Sequence, residues 1–305
     1  MNTRYRQDIC TRNIDSRMAQ SYSVHQFSGP FSINLFRKSL QHTMNTETQE
    51  GIERAAQILK SSQYRIALTG AGMSVESGIP PFRGTGGLWT KLGEPAMTGY
   101  QNFLKDPKGW WEDRLSNDQP TEMSDFQLAL ANATPNNGHY ALATLENMGL
   151  LQYLITQNVD GLHTNAGSKN VAEIHGNTQK LRCIGCGFRV HRDEFTVSEI
   201  PPMCPECGNI IKSDGVMFGE PIPTATLAIC QEETLKADCI LILGTSATVH
   251  PAASLPEIVY RNGGNLIEVN PESTPLSSFC TVNLFGNTGE VLPELVSILS
   301  QKHNH

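Results

Sequence analysis

The chain has 305 residues, of which 39% are hydrophobic and 17% charged, a balance typical of a folded protein rather than a disordered one. It contains no run of about 18 apolar residues, so we expect no membrane span. The net charge of −7 and the pI near 5.7 disfavour general binding of nucleic acid, which needs clustered Lys and Arg.

The first 43 residues differ from the rest of the chain. They carry six Lys or Arg against two Asp and show no helical or strand period. We interpret residues 1–45 as a disordered extension, or as sequence upstream of a natural start at Met44; a basic, acid-poor leader is also typical of an organelle transit peptide. The predicted compartment is the cytoplasm, with an organelle as the alternative if residues 1–43 are a targeting segment.

A strand and a glycine-rich turn follow the first predicted helix. Apolar residues recur at helical spacing after Thr46, and the run at 64–69 predicts a buried strand. The sequence Gly-Ala-Gly-Met-Ser comes directly after it, at 70–74. Glycine permits close backbone approach and positive φ, so a pyrophosphate can bind the N–H groups at the start of the next helix.

This turn is not the fingerprint of a dehydrogenase. The pattern Gly-X-Gly-X-X-Gly needs a third glycine where the chain has Val75, and the acidic residue expected about 20 residues later is replaced by a loop-like segment at 86–91. We therefore disfavour hydride transfer and expect a nucleotide bound in another way. An ordinary strand-to-helix turn is the alternative, since glycine often marks turns.

Further strands are predicted along the chain. Short helical patterns at 91–133 indicate a helical insertion, and a helix capped at 137–139 leads to a buried strand at 150–156. The runs at 238–243 and 265–269 are typical of central parallel strands. Because ligands of an open α/β sheet bind outside the carboxyl ends of its strands, the loops that follow these strands predict one dinucleotide crevice.

Four cysteines form two Cys-X2-Cys pairs that are 17 residues apart: Cys183, Cys186, Cys204 and Cys207. Four thiolates complete a tetrahedral shell around Zn²⁺ and leave no position for water, which predicts one structural zinc ion. Two disulfides are disfavoured because no secretory signal is evident. A four-thiolate iron site is the other alternative, and zinc is the more usual occupant of such a ribbon.

The predicted fold class is α/β, with a Rossmann-like parallel-sheet domain and a smaller module made of a zinc ribbon and helices. We assign residues 46–90, 134–177 and 214–302 to the Rossmann-like domain. Residues 91–133 form the helical insertion and residues 178–213 the zinc-binding ribbon.

Polar side chains follow the second predicted strand. Gln157, Asn158 and Asp160 are placed where they can bind ribose hydroxyls and a carboxamide, although an aspartate in such a loop is often only a cap. His175 comes shortly before the ribbon. A lone histidine is more often a packed residue than a base, so His175 alone is a weak indicator.

Two other histidines are interpreted as packed residues. His139 lies at a helix start and His163 where a loop packs against a helix.

Taken in order, these motifs resemble the sirtuin family of NAD-dependent protein deacylases. The family's order is kept by Gly-Ala-Gly-Met-Ser at 70–74, Gly-Ile-Pro-Pro-Phe-Arg-Gly at 78–84, Thr-Gln-Asn-Val-Asp-Gly-Leu-His at 156–163, His-Gly at 175–176, the cysteine pairs, Phe-Gly-Glu at 218–220, Gly-Thr-Ser at 244–246 and Val-Asn-Pro-Glu at 269–272. The match spans about residues 50–297. Its most specific parts are Gln-Asn-Val-Asp and the Phe-Arg-Gly loop.

The resemblance implies an enzyme that uses NAD to remove acetyl or other neutral acyl groups from protein lysine. The products are nicotinamide, O-acyl-ADP-ribose and free lysine. In such enzymes the acyl-lysine carbonyl oxygen attacks the ribose carbon that carries nicotinamide, and a polar pocket stabilises the charge that develops there. The implied partners are acyl-lysine proteins or peptides, with no specific nucleic acid, no membrane and a monomeric state.

The same resemblance implies residue roles. His175 acts as general base on the ribose hydroxyls. Asn158, the second catalytic residue, orders the ribose together with Gln157. The cofactor-binding residues are Gly70, Ala71, Gly72, Ser74, Ile79, Phe82, Arg83, Gln157, Asn158, Asp160, Gly244, Thr245, Ser246 and Asn270. The substrate-binding residues, expected to form a strand that pairs with the peptide backbone, are Val216, Met217, Phe218 and Gly219.

Four of these assignments are more specific. Asp160 and Ile79 hold the nicotinamide carboxamide, Phe82 shields the reacting carbon from water, and Arg83 lies in a mobile cofactor loop.

One departure from the family bears on the acyl group. Members that prefer acidic acyl groups carry Tyr-X-X-Arg in the helical insertion, and an ungapped alignment places Arg114 and Asn117 at those positions. Since a buried carboxylate without a partner is costly, we expect acetyl or other neutral acyl-lysine to be preferred over succinyl- or malonyl-lysine.

Two other functions are considered. The first is ADP-ribosyl transfer from NAD to a protein or small molecule. The second is a non-catalytic zinc-ribbon binding module, which the acidic composition and the set of His175, Asn158 and Asp160 disfavour.

Overall fold

The computed structural model describes residues 46–84, 86–116 and 120–301. The predictions for residues 1–45 and for Asn117 lie outside these residues. The helices are α1 (Thr46–Ser61), α2 (Leu88–Leu92), α3 (Gly99–Lys105), α4 (Pro107–Leu115), α5 (Thr121–Asn132), α6 (Asn137–Asn147), α7 (Leu162–Asn165), α8 (Thr224–Lys236), α9 (Leu255–Arg261) and α10 (Thr288–Gln301). The strands are β1 (Arg65–Thr69), β2 (Tyr153–Thr156), β3 (Val171–Glu173), β4 (Lys180–Cys183), β5 (Arg189–His191), β6 (Ile211–Ser213), β7 (Cys239–Leu243), β8 (Asn265–Asn270) and β9 (Val282–Phe285).

Six strands form one parallel sheet in the order β3-β2-β1-β7-β8-β9. The inner strands β1 and β7 are buried along their whole length, which explains their continuous apolar sequences. Along the chain, β2 and β3 follow β1 on one side of it, and β7, β8 and β9 then follow one another on its other side. This is the doubly wound arrangement, whose ligand crevice lies where the order reverses.

Helices cover the sheet. Helices α8 and α9 pack together, and their buried residues Cys230 and Val259 belong to one core cluster with Ile66 and Ile240 of the sheet. Helix α10 packs against both α1 and α6, and it also contacts β8. The side chain of Asn136 caps α6 by accepting hydrogen bonds from the N–H groups of Gly138 and His139, as expected for asparagine at that position.

A second sheet has three antiparallel strands in the order β5-β4-β6. Its strand β4 ends in Cys183, and the connections between its strands carry Cys186, Cys204 and Cys207. Trp111 of α4 is buried against Leu181, Cys183 and Ile211 of this sheet. Its indole N–H donates to the Ile211 carbonyl at 2.9 Å. The helical insertion and the ribbon therefore share one small core.

One predicted element differs in the structure. The helix expected after the glycine turn is a 3-10 helix over Ala71–Ser77, bounded by Gly70 and Gly78, and Pro80 and Pro81 prevent its extension. The segment Val216–Phe218 lies in neither sheet of the described chain, and its pairing with a peptide backbone stays a prediction.

In the described part of the chain, no helix combines the length and the apolarity that a bilayer crossing demands.

Candidate active site

The predicted polar loops converge at one edge of the large sheet. Thr69 of β1 pairs in register with Thr156 of β2 on one side and with Leu243 of β7 on the other. The loops that leave these strands, together with the one after Asn270, surround the switch point between β1 and β7. The structure thus brings the glycine turn, the Gln-Asn-Val-Asp loop and the Gly-Thr-Ser loop into one crevice.

The glycines let two of these loops touch. A Cβ on Gly70 would lie 2.6 Å from the Thr245 Cβ, and one on Gly72 would lie 2.8 Å from the Gly244 Cα. The N–H of Gly70 donates to Leu243, and the N–H of Gly72 donates to Gly244 at 2.8 Å. Any cofactor contact at Gly70 and Gly72 must therefore come from close backbone approach, since both N–H groups already have acceptors.

Three buried polar side chains meet beside the turn. Asn158 Nδ2 donates to the Gly70 carbonyl and to Ser74 Oγ, both at 3.0 Å. Ser74 Oγ in turn donates to Asp160 Oδ2 at 2.7 Å, and the Leu162 N–H donates to Asp160 Oδ1 at 2.9 Å. Burial raises the pKa of Asp160 above its usual value, and the hydrogen bonds from Leu162 and Ser74 oppose that rise.

A second set of polar groups lies on the β7 side. Gln157 Nε2 donates to Thr245 Oγ1 at 2.8 Å, and Asn270 Nδ2 donates to the Thr245 carbonyl at 3.2 Å. Thr245 and Asn270 are buried, whereas Ser246 is exposed at the rim. These side chains line the half of the crevice where the adenosine part of a dinucleotide is expected.

Apolar residues close the other half. A small cavity is lined by Ala71, Ser74, Ile79, Pro80, Phe82, Phe126, Leu130, Asn158, Val159 and Asp160. Phe82 stacks on Trp89 with ring centroids 4.6 Å apart and also contacts Phe126. The cavity therefore combines an aromatic wall with the carboxylate of Asp160, as suits a flat ring that bears a carboxamide.

Arg83 is held outside this cavity. Its guanidinium donates to both carboxylate oxygens of Glu94, at 2.6 and 2.8 Å, and lies 4.7 Å from the centre of the Trp89 ring. Arg83 and Glu94 are both exposed.

His175 lies two residues after the end of β3, at the same edge of the sheet. Its Nδ1 is 3.2 Å from the Gln157 carbonyl oxygen. Because a carbonyl only accepts, Nδ1 carries the proton and Nε2 keeps its lone pair in the neutral ring. Burial lowers the pKa of His175 below 6.5, and the bond to Gln157 opposes part of that shift. The ring is therefore a neutral base at physiological pH.

The two histidines interpreted as packed residues are indeed buried. His139 accepts a hydrogen bond from the Asn136 N–H through Nδ1, and His163 Nε2 lies 3.0 Å from Thr69 Oγ1. Their ring centroids are 4.7 Å apart.

The four ribbon cysteines form a compact cluster. All four Sγ atoms lie within 4.8 Å of one another, with Cys183 and Cys207 at 3.5 Å and Cys186 and Cys204 at 3.6 Å. Zn–S bonds of about 2.3 Å place the sulfurs of a tetrahedron about 3.8 Å apart. The four thiolates therefore fit one Zn²⁺ ion, and the Gly185 N–H adds a hydrogen bond to Cys183 Sγ at 3.3 Å.

The predicted substrate-binding residues form a loop beside His175. The Val216 N–H donates to the His175 carbonyl at 2.9 Å, and the Phe218 carbonyl accepts from the Tyr100 N–H at 3.1 Å. The Phe218 ring meets Trp89 edge-on at 5.1 Å. A Cβ on Gly219 would collide with the Met97 carbonyl.

Several residues of this region were not assigned by sequence reasoning. Phe126 and Trp89 complete the aromatic wall. Glu220 accepts the Met217 N–H, and Asp214 accepts the Asn177 N–H. Only Glu220 had a sequence indicator, because it ends the Phe-Gly-Glu motif.

Comparison with known proteins agrees with this geometry. The profile described as "Sir2 family" matches residues 70–251. The chain belongs to the Sir2 family. The sirtuin resemblance is confirmed.

Two Sir2 relatives show how much of the chain is shared. NAD-dependent protein deacylase 1 of Archaeoglobus fulgidus is 42% identical over 251 residues, which cover 80% of this chain and 96% of the relative. The NAD-dependent protein deacetylase of Caldivirga maquilingensis is 42% identical over 252 residues, covering 81% and 93% respectively.

Solved Sir2 structures share the fold. A Sir2 homolog–NAD complex has a TM-score of 0.67 at 41% identity and covers 82% of this chain and 94% of its own. A complex described as Sir2-p53 peptide-NAD+ has a TM-score of 0.65 at 31% identity, covering 81% and 97%.

Proposed function

We propose that this protein is an NAD-dependent protein-lysine deacylase that releases nicotinamide, O-acyl-ADP-ribose and the free lysine. The observation that carries this proposal is the buried cluster of Asn158, Asp160 and Ser74 beside His175, at the switch point of a doubly wound sheet. The proposal is supported by relatives that are named NAD-dependent protein deacylases and deacetylases.

The residues around the small cavity bind the nicotinamide end of NAD. NAD supplies a ribose carbon whose bond to nicotinamide is broken in the reaction. Asp160, with Ile79, binds the carboxamide, and its carboxylate is already oriented by Ser74 and Leu162. Phe82 keeps water from the reacting carbon through its position in the aromatic wall.

His175 provides the base. Its Nε2 takes a proton from a ribose hydroxyl, because Nδ1 is bonded to the Gln157 carbonyl. Asn158 orders the ribose, and its amide is fixed by two hydrogen bonds to the glycine turn.

The remaining cofactor contacts fall into three groups. Gln157 orders the ribose together with Asn158, and Arg83 belongs to the cofactor loop. The residues that we assign to the phosphates and adenosine are Gly70, Ala71, Gly72, Ser74, Gly244, Thr245, Ser246 and Asn270. One structural Zn²⁺ is held by four thiolates and has no open position for substrate. The thiolates are those of Cys183, Cys186, Cys204 and Cys207.

The substrate is an acyl-lysine protein or peptide, held along Val216, Met217, Phe218 and Gly219. We propose a neutral acyl group such as acetyl. Arg114, at one of the two positions that distinguish acid-preferring members, lies over the Trp110 ring at 4.1 Å.

We also propose the wider setting. The protein acts as a monomer with no nucleic-acid partner, and the domain division is the one predicted above. We place it in the cytoplasm, because a site of four cysteine ligands needs reduced thiols, or in an organelle if residues 1–43 are a transit peptide.

One experiment tests the proposed function and its alternative. Purified, zinc-loaded protein is incubated with NAD and with matched acetyl-, succinyl- and unmodified lysine peptides, and all products are measured by mass spectrometry. We expect O-acetyl-ADP-ribose and nicotinamide in equal amounts, with acetyl turnover above succinyl turnover. An acceptor that gains ADP-ribose without loss of an acyl group would contradict deacylation, and faster succinyl turnover would contradict the neutral-acyl preference.

A further inference from the structure

Four buried charged residues lie where the ribbon meets the loop at 213–220, which we call the substrate loop. They form what we call the buried charge cluster: Arg182, Lys212, Asp214 and Glu220. Their side chains are 9%, 0%, 2% and 2% exposed. Arg182 contacts Asp214 at 3.1 Å and Glu220 at 2.6 Å, and Lys212 contacts Glu220 at 3.0 Å. Among these four side chains two cations face two carboxylates, and Asp214 also pairs with the partly exposed Arg189.

The cluster holds the backbone of the substrate loop. Lys212 Nζ donates to the carbonyls of Ser213 at 2.8 Å and Gly215 at 2.7 Å. Glu220 Oε2 accepts the Met217 N–H at 2.8 Å. The loop at 213–220 is therefore folded around the side chains of Lys212 and Glu220, which form one ion pair.

The cluster also holds the segment that carries His175. Asp214 Oδ2 accepts the Asn177 N–H at 2.8 Å, and the Val216 N–H donates to the His175 carbonyl at 2.9 Å. Between them, Gly176 has φ of 77°, and a Cβ there would collide with the Asp214 carbonyl. Both neighbours of Gly176 are therefore bound to the loop that the cluster organises.

The cations come from the ribbon and the anions from the loop that leaves it. Arg182 of β4 and Lys212 of β6 are directly paired in register, and Arg182 precedes the cysteine at 183. A buried pair that loses one partner leaves an uncompensated charge, whereas an intact pair adds little net stability. The cluster is thus better explained by the geometry it imposes on the loop than by stability.

We propose that Lys212 and Glu220 are positioning residues for the acyl-lysine substrate: they fix the loop at 213–220 so that its backbone meets the peptide beside His175. This inference rests on the proposed function. The residues act on peptide binding and not on NAD binding, because their contacts lie on the substrate loop and on Arg182 of the ribbon, and none of these contacts reaches the Gly70, Gln157 or Gly244 loops.

The test compares Glu220→Gln and Lys212→Met with Glu233→Gln. Glu233 is a mostly buried carboxylate of α8 that pairs with Lys236 and with Tyr64, near the start of β1 and away from the crevice. Binding of a fluorescent acetyl-lysine peptide is measured by anisotropy without NAD, followed by the KM values for peptide and NAD, with zinc content and thermal unfolding as checks on folding. We expect the peptide Kd and KM to rise about tenfold in the first two variants, with the KM for NAD and the zinc content unchanged and Glu233→Gln matching wild type.

The double variant K212M/E220Q keeps the experiment decisive if a single variant misfolds. It removes both charges of one pair and leaves Arg182 with Asp214, so no charge is stranded. We expect a folded, zinc-loaded protein with the same rise in peptide Kd, since the Gly215 carbonyl loses its donor. A folded double variant with wild-type peptide Kd would overturn this inference alone. Wild-type protein that released no nicotinamide with any peptide would overturn the proposed function and this inference with it.

Discussion

At the scale of single residues, a backbone carbonyl decides which nitrogen of His175 is free to act as the proposed base. The Gln157 carbonyl accepts from Nδ1 at 3.2 Å, so Nε2 is left with its lone pair. Gln157 itself is held by its amide, which donates to Thr245 Oγ1. The loop that carries Asn158 thereby also orients the base, and this link joins two residues that the sequence presents as separate motifs.

Replacement of His175 tests this role. In His175→Ala the ribose hydroxyl has no base, so we expect kcat for deacetylation to fall by about 10²- to 10⁴-fold, with NAD binding retained. Turnover of an acetyl peptide and NAD titration by calorimetry measure the two effects. His191→Ala, which alters a half-buried ribbon histidine, is the matched control and should behave as wild type. Near-normal turnover in a folded His175→Ala protein would remove the base assignment.

The pH dependence of activity follows from the same ring. Burial lowers the pKa of His175 below 6.5, so the neutral base persists as pH falls through 6.5 and is lost only at lower pH. We expect kcat/KM to hold near pH 6.5 and to decline below it. A pH profile of peptide deacetylation between about pH 5 and 8 measures this, a window around the usual histidine value. A midpoint above 6.5 would contradict the assignment of His175 as the neutral base.

Residue identity alone did not reveal the buried charge cluster. Charged residues are almost never fully buried unless paired, so Asp214 and Glu220 in a sequence indicate a solvated loop. Arg182 is 32 and 38 residues away from them along the chain. Only the packing of the ribbon against the loop brings the four side chains together, and no local pattern encodes that.

At the scale of elements, the sequence predicted the centre of the sheet and missed its edges. Strands β1, β2, β7 and β8 are runs of apolar residues ended by polar loops, which is typical of buried parallel strands. Strands β3 and β9 have three and four residues, and neither is part of a longer apolar run, whereas β2 lies within the run at 150–156. They form because a neighbouring strand already offers a hydrogen-bonding edge, which is a property of the folded sheet.

The position of the crevice was predictable from the central strands. Parallel strands end at one edge, so loops after β1, β2 and β7 must converge there whatever their separation in sequence. What the sequence left open was the use of the glycines at 70 and 72. Their role in the structure is the close contact with Gly244 and Thr245, which requires knowledge of the neighbouring loop.

Metal loss should act on the ribbon as a unit. Cys183 and Cys204 belong to the same buried cluster as Trp111, so the thiolate shell and the small core support each other. In Cys204→Ser we expect the zinc content to fall from one equivalent to near zero and the ribbon to lose protection from hydrogen exchange. Cys280→Ser, which changes a partly buried cysteine outside the cluster, is the control. Full zinc content in Cys204→Ser would contradict the assignment of the four ribbon cysteines as the zinc ligands.

At the scale of the whole molecule, two neutral histidines are built into the packing behind the crevice. His139 Nε2 and His163 Nδ1 are buried and have no hydrogen-bond partner among the described residues. His139 Nδ1 accepts from the Asn136 N–H, so its proton is on Nε2, and the two rings lie 4.7 Å apart. A charge on either ring would be buried without a counter-ion.

This arrangement predicts an acid-sensitive fold. Burial lowers the pKa of His139 from 6.5 to about 4 and that of His163 well below 6.5. In the unfolded chain both rings take up protons near pH 6.5, so stability is complete above that pH and falls as pH drops toward 4. His139 alone accounts for a loss of about 3 kcal/mol over this window, a large part of the stability of a typical domain.

Urea unfolding of wild type and His139→Gln at about pH 7 and pH 4.5 measures this loss of stability. The glutamine keeps an acceptor for Asn136 but cannot titrate, so His139→Gln should lose less stability on acidification, while His191→Gln should lose as much as wild type. Equal losses in wild type and His139→Gln would show that the buried ring does not set the acid limit.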